Sequence, residues 1–315
     1  MRYRKTMLAA AALAMAVLAV RAAERAKKQE APPKAPAQAE KAKKPDQGQQ
    51  FMRLARDARR QPVALEAAVV TYVPQDCGQT SPTVDLVAAV HVAERSYYDQ
   101  LNEQFSKYDV VLYELVAPEG TRVPKGARPA GKHPITVLQT LMTSVLSLQF
   151  QLECIDYTKP NLVHADMSPQ QLAEAMQKRG ESVWTMFWRM VAYSLAKQGY
   201  GDDIDTARVV AALLDKNRSL ALKRLMAEQF QDMEGSLGAI EGPKGSALIS
   251  DRNKVALEVL RKQIAAGKKK IAIFYGAAHM PDIDRHLHDD FGLAPVATRW
   301  LVAWDLKGGG KAPTR

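Results

Sequence analysis

Apolar runs of strand length alternate with amphipathic stretches of helical period from Phe51 onward. "VDLVAAVHV" is nearly continuous in its apolar character, the mark of a strand covered on both faces. In the following "AERSYYDQLNEQFSKY", Tyr97, Leu101 and Phe105 recur at helical spacing, and "DVVLYEL" reads as a second buried strand. That strand–helix–strand order predicts a right-handed parallel crossover. A further buried strand, "KKIAIFYGAAHM", is preceded by a helix over "DRNKVALEVLRKQIAAGK" that stops at Gly267. "NLVHADM" makes a short strand, after which Ser168 caps a helix with Pro169 at its first position. Nearer the start, "FMRLARDARRQPVALEAAVVTYVP" predicts a short helix and then a strand ending near Pro74, with a turn over "CGQTSPT".

The predicted frame is α/β, a mostly parallel sheet flanked by helices. Between about 168 and 248 no strand pattern occurs. "SPQQLAEAMQKRG", "SVWTMFWRMVAYSLAKQ", "IDTARVVAALLDK" and "SLALKRLMAEQFQDME" predict a helical insert there. Trp184, Phe187 and Trp188 give one of these helices an apolar face, read as packing on the sheet in preference to an aromatic substrate patch. Upstream, "PITVLQTLMTSVLSLQFQLECI" predicts another apolar helix, whose Thr, Ser and Gln content argues for burial in protein over a membrane span.

The first fifty residues differ in kind. Arg2, Arg4 and Lys5 precede an apolar stretch from Met7 to Val20, and Val20-Arg21-Ala22 supplies small residues for cleavage. Residues 1–22 thus read as a secretory signal, with an uncleaved N-terminal membrane anchor as the alternative. Residues 23–50, rich in Ala, Lys, Gln and Pro, read as a disordered linker. The expected domain then runs over 51–304 and a flexible tail over 305–315. Either reading of the leader puts the body outside the cytoplasm, periplasmic or extracellular.

The net charge of +10 would ordinarily suggest a nucleic-acid partner. It resides at the ends. Residues 1–50 hold 11 Lys/Arg against 4 Asp/Glu, and Lys307, Lys311 and Arg315 add three cations, so the body is close to neutral and no nucleic-acid partner is expected. Two cysteines, Cys77 and Cys154, are too few for a disulfide framework, though an exported chain allows them to pair.

Ligands of open α/β sheets bind beyond the carboxyl ends of the strands. His91 follows "LVAAV", Glu114 ends "VVLYE", His164 and Asp166 lie in "LVHADM", and His279 follows "FYGAA". A lone histidine at a strand end is usually structural. Two after small-residue pairs, with a carboxylate after an intervening strand, favour a common site. His, Glu and His suit a divalent ion (Zn, Mn or Co) with an open position for water, or a metal-free general base oriented by a carboxylate. Glu94 reads as an acid supporting a helix start, and His133, His286 and His288 as solvated.

"AAVHVAERSYYDQL", "DVVLYEL", "SDRNKVALEVL" and "IFYGAAHM", in that order, resemble the TraB/PrgY/GumN family, which includes the Tiki metalloproteases. The resemblance spans roughly Val69 to Val302, with the central helices similar only in character. It assigns the family's two histidines to His91 and His279, its glutamate to Glu114, and its Arg-Asn pair to Arg252 and Asn253. The first Gly-x-x-His stands here as Ala88-Ala89-Val90-His91, and Asp251 replaces the glutamate before Arg-Asn; Gly276 to His279 keeps the motif. An EreA/ChaN-like fold is implied, and, for the Tiki branch, metal-dependent peptide hydrolysis. The expectation is a metal on His91, Glu114 and His279, with His164 or Asp166 assisting proton transfer. Arg252 would orient Glu114 or a substrate carboxylate, the substrate being a peptide or small molecule. A non-catalytic ligand- or peptide-binding protein and a metal-free esterase-like hydrolase are the rivals.

Overall fold

The structure, a computed structural model, describes residues 49–75, 82–126, 146, 148–182, 206–228 and 245–307. The proposed leader, Cys77, His133, the aromatic face at Trp184, Phe187 and Trp188, and the tail beyond Lys307 lie outside those residues.

The core is one mixed sheet. Strands β1 (Met52–Arg56), β2 (Pro62–Pro74), β3 (Thr83–Ala89), β5 (Val110–Tyr113), β7 (Leu162–His164), β8 (Lys270–Gly276) and β9 (Leu293–Asp305) belong to it. β3, β8, β5 and β7 run side by side in that order and are parallel. All four residues of β5, and Ile271 through Gly276 of β8, are buried, as strands covered on both faces should be. The two strands of the expected crossover are therefore not neighbours, because β8 lies between them.

Helices flank this sheet. In α1 (Arg95–Phe105), Tyr97, Tyr98, Leu101 and Phe105 are buried, and Phe105 meets Phe274 of β8 edge-on at 4.9 Å. One helical turn, α2 (Gln151–Cys154), precedes β7. A capping box between Ser168 and Gln171 opens α3 (Pro169–Lys178), with Pro169 in its first turn. α4 (Thr206–Leu214) and a helical run over 218–228 follow. Between β7 and β8 the described residues form no strand. A π-turn over Ala247–Asp251 leads into α5 (Arg252–Ala265), and α6 (Met280–Phe291) follows β8. Gly267 and Gly292, with φ of 82° and 62°, end α5 and α6 in the left-handed conformation that glycine adopts without strain.

Three expectations need correction. Met52–Arg56 is a strand, not a helix, paired antiparallel with β2 so that Leu54 faces Leu65. The turn between them is made by Asp57, whose Oδ1 accepts from the backbone N of Arg59 and Gln61, while Arg53 pairs with Glu66 at 2.6 Å. These contacts outweigh the helical leaning of "RLARDARR". The end of the apolar segment before Cys154 is not a continuous helix either. Gln149–Phe150 (β6) pairs antiparallel with Val92–Ala93 (β4), and α2 follows. Glu94 occupies the N-cap of α1 but makes no cap hydrogen bond; it accepts instead from the buried Lys223 at 2.5 Å. β9, unanticipated, pairs antiparallel along β2 from Ala64 to Pro74. Cys154 is buried and free.

Candidate functional site

The carboxyl ends of the four parallel strands finish within two residues of one another, β3 and β8 reaching further than β5 and β7. Ala89 is in register with Gly276, and Tyr113 with both Phe274 and His164. Each strand then releases one polar residue within three positions: His91 after β3, Glu114 after β5, Asp166 after β7 and His279 after β8. Neighbouring strand ends therefore deliver all four to one rim.

Gly276, at the end of the central strand, explains how they fit. A Cβ added there would lie 3.2 Å from Glu114 Oε2, 3.4 Å from His91 Nε2 and 3.7 Å from His279 Cδ2. Its backbone N–H donates to Glu114 Oε2 at 2.6 Å. Glycine is needed for close approach, since its φ of −51° is open to any residue. The short 3₁₀ turn Ala277–His279 then brings the imidazole back over the strand end.

Behind this point lies a buried charge network. Arg252 donates through Nε to Asp166 Oδ1 at 2.9 Å and through a terminal nitrogen to Asp166 Oδ2 at 2.6 Å, a two-pronged pairing. The same terminal nitrogen reaches Glu114 Oε1 at 2.7 Å, and the other lies 3.4 Å from His279 Nε2. Arg252 is 8% exposed, so it is neither a surface ion pair nor open to a substrate carboxylate. Its prongs orient Glu114. Burial by itself would raise the Glu114 carboxyl. Hydrogen bonding to His279 and the positive charge gathered around it, that of Arg252 included, outweigh burial and hold it well below the usual carboxylate range. Burial likewise opposes the Arg252 charge, but Asp166 and Glu114 raise its pKa further.

Each histidine is oriented by an amide. Asn253 donates through Nδ2 to Asp282 Oδ2 at 2.8 Å, and an ionised carboxylate can only accept. Asn253 Oδ1 is thereby turned to His279 Nδ1 at 2.7 Å, which must carry the hydrogen. In the neutral ring, His279 Nε2 then presents its lone pair to Glu114 Oε1, 3.5 Å away. On the solvent side, His91 Nδ1 lies 3.0 Å from Gln151 Oε1, and Gln151 Nε2 donates to the Tyr157 hydroxyl at 2.8 Å.

Sequence reasoning missed Gln151, Tyr157 and Asp282. A buried amide has no periodic signature, and Gln151 is distant in the chain from the histidine it holds. Asp251, the departure from the resembled motif, takes two hydrogen bonds from Arg179 (2.5 and 2.7 Å) and pairs with Lys254. It ties α5 to the end of α3. His164 stands apart. Its Nε2 is 2.6 Å from the Leu115 carbonyl oxygen and its ring packs near Tyr113. His286 pairs with Asp282 and Asp290, and His288 is exposed. A groove of about 570 Å³ between α3 and α5 is lined by Glu174, Lys178, Arg179, Asp251, Lys254 and Glu258 among others. None of the converging groups lines it, and its charges are balanced.

Among the described residues, no three His, Cys, Asp or Glu side chains stand as a ready-made cation cage. The chemistry of the donor set fits a divalent ion nonetheless. His279 Nε2 and Glu114 Oε1 face each other at 3.5 Å with the Arg252 guanidinium against both, a corner built to hold positive charge. Two ligands each about 2 Å from one tetrahedral ion stand roughly 3.3 Å apart. His91 Nε2, 3.4 Å from where a Cβ on Gly276 would lie, borders the same corner as the third donor. No protein-family model, curated protein or solved structure matches the chain.

Proposed function

We propose that this chain is an exported, divalent-metal-dependent hydrolase of the TraB/Tiki type on an EreA/ChaN-like α/β frame, cleaving a peptide or related carbonyl substrate. One observation carries the reading. Two imidazoles, each bound at Nδ1 by an amide oxygen, flank the corner at Gly276 that a largely buried carboxylate, Glu114, also occupies. That is how metal-ligating histidines are commonly held. His91, Glu114 and His279 would hold the ion, which when bound supplies Lewis-acid polarisation of a carbonyl and acidification of a water. The chain's own groups do the rest. Gly276 N–H and Arg252 keep Glu114 ionised and fixed, and Asp166 balances the Arg252 charge within the fold. Asn253 orients His279. His91, exposed, borders the side from which substrate enters. His164, bound to the Leu115 carbonyl, takes no part in proton transfer in this reading.

Arg252 favours a second reading. Its guanidinium already lies against Glu114 Oε1 and His279 Nε2, where it supplies positive charge without a metal. A metal-free hydrolase would then use His91 as general base. Metal content of the purified chain, with turnover of peptide and ester substrates before and after chelation, separates the two. Stoichiometric metal and chelator-sensitive turnover support the first; chelator-resistant turnover replaces it with the second. Retained ligand without turnover would make the cleft a binding site only.

A further inference from the structure

The solvent-facing half of the cluster depends on Gln151, the amide at His91 Nδ1, and on Tyr157 behind it. Gln151, 5% exposed, grips His91 twice. Its backbone N–H donates to the His91 carbonyl oxygen at 3.0 Å, and its Oε1 lies 3.0 Å from the ring Nδ1. The far end of the amide donates to the hydroxyl of Tyr157, itself buried. The two-residue ladder of β4 and β6, pairing Val92 with Phe150 and Ala93 with Gln149, sets the register in which Gln151 meets His91. A leucine would fill this volume without burying an amide, which is costly unless both of its ends are satisfied. An amide satisfied on one side by a tyrosine and on the other by an exposed imidazole controls that ring.

We propose that Gln151 and Tyr157 are positioning residues for His91: Tyr157 anchors the far end of the Gln151 amide, and Gln151 Oε1 holds the imidazole in its Nδ1–H tautomer with Nε2 turned toward the rim. Asn253 holds His279 Nδ1 in the same way, with the Asp282 carboxylate in the place that the phenol takes here. The consequence for metal affinity rests on the metal-hydrolase reading; the tautomer does not.

The test uses the full chain, ¹⁵N-labelled and metal-free, at a pH alkaline enough to leave the imidazoles neutral. Long-range ¹H–¹⁵N spectra, with the His91 signals identified by their loss in His91→Ala, report which nitrogen carries the hydrogen. The expected result is Nδ1–H in the parent and in Gln151→Glu, whose carboxylate accepts from both ring and phenol. Gln151→Leu should show a mixture, and Tyr157→Phe a partial one. In a second arm, Co²⁺ absorption titrations should find binding weakened about 10- to 100-fold in Gln151→Leu, with Gln151→Glu nearer the parent. A parent ring protonated at Nε2 overturns the proposal, as does a tautomer unchanged in both Gln151→Leu and Tyr157→Phe. If Gln151→Leu does not fold, Tyr157→Phe, which keeps the ring in place, decides the matter. A parent that binds no Co²⁺ overturns the metal reading, and the tautomer signals then judge the positioning proposal by themselves.

Discussion

His279 and His91 are each held at Nδ1 by an amide oxygen, but in opposite surroundings. His279 is 4% exposed, and its ring sits among Asn253, Arg252 and Glu114, with Tyr275 edge-on at 5.3 Å. His91 is exposed, on a bend after β3, and its ring is held by the neutral amide of Gln151. On the inner side, charges are paired where water cannot replace a lost partner, so stability and chemistry share the same groups. Water reaches the outer side, where a lost contact can be resolvated. Side chains of one chemical type can thus be structural and functional on one side of a cluster and mainly functional on the other.

The largest effect should come from the inner half. Arg252→Met leaves Asp166 and Glu114 buried without their cation, which typically costs about 3–5 kcal/mol. Urea unfolding measures it. A loss below about 1 kcal/mol would mean that the carboxylates are not ionised together, and the contrast between the halves would collapse.

Next in size is the difference between the two histidines. His279→Ala strands the Asn253 oxygen and opens a void, for a cost of about 1–3 kcal/mol. His91→Ala should stay within about 0.5 kcal/mol of the parent. Both should abolish metal binding and turnover, and the double variant should lose little more activity than either single one. Equal melting temperatures for the two single variants would erase the distinction drawn from burial.

Gly276→Ala joins the halves, since its new Cβ would press on Glu114 Oε2 and His91 Nε2 together. The expected stability cost is about 1 kcal/mol, with a larger proportional loss of Co²⁺ affinity. An effect on stability without one on affinity would argue that the glycine serves helix–strand packing, as its small-residue context first implies.

The smallest effect is a pH dependence at the edge of the inner half. Hydrogen bonds from Arg179, opposed by burial and reinforced by Lys254, lower the Asp251 carboxyl from its usual 3.8 to about 2. A depressed folded-state value contributes stability that is fully present above the unfolded value and lost as pH falls through the folded one. Asp251→Asn should therefore flatten the stability curve between 3.8 and about 2, while the loss carried by Glu114, whose carboxyl is also held low, runs through the same window and stays in place. His91→Ala should leave the Asp251 part of that curve alone. Acid titration of unfolding by circular dichroism would reveal either failure.

Much of this could be read in one dimension because the parallel strands are buried on both faces. Ile271 to Phe274 and Val110 to Leu112 are apolar without alternation, so their ends, and the polar residues just past them, stand out. The chain likewise announces the start of α3 through Ser168, Pro169 and Gln171, because a capping box is local. β1 was misread because "RLARDARR" suits a helix in isolation, and only pairing with β2 makes it a strand. β9 was overlooked because its exposed middle, Pro295 to Arg299, breaks the apolar run.

The sequence by itself determined the α/β character and the positions of His91, Glu114, Asp166 and His279 beyond strand ends, since those depend on contiguous residues. Tertiary structure decided the rest. It inserted β8 between β3 and β5, placed Arg252 between two carboxylates, removed His164 to the Leu115 carbonyl, and put Gln151 and Tyr157 behind His91. The reason is physical. Strand and helix signals reflect each residue's neighbours in the chain, whereas burying an ion or an amide is tolerable only beside a partner that folding brings from far away.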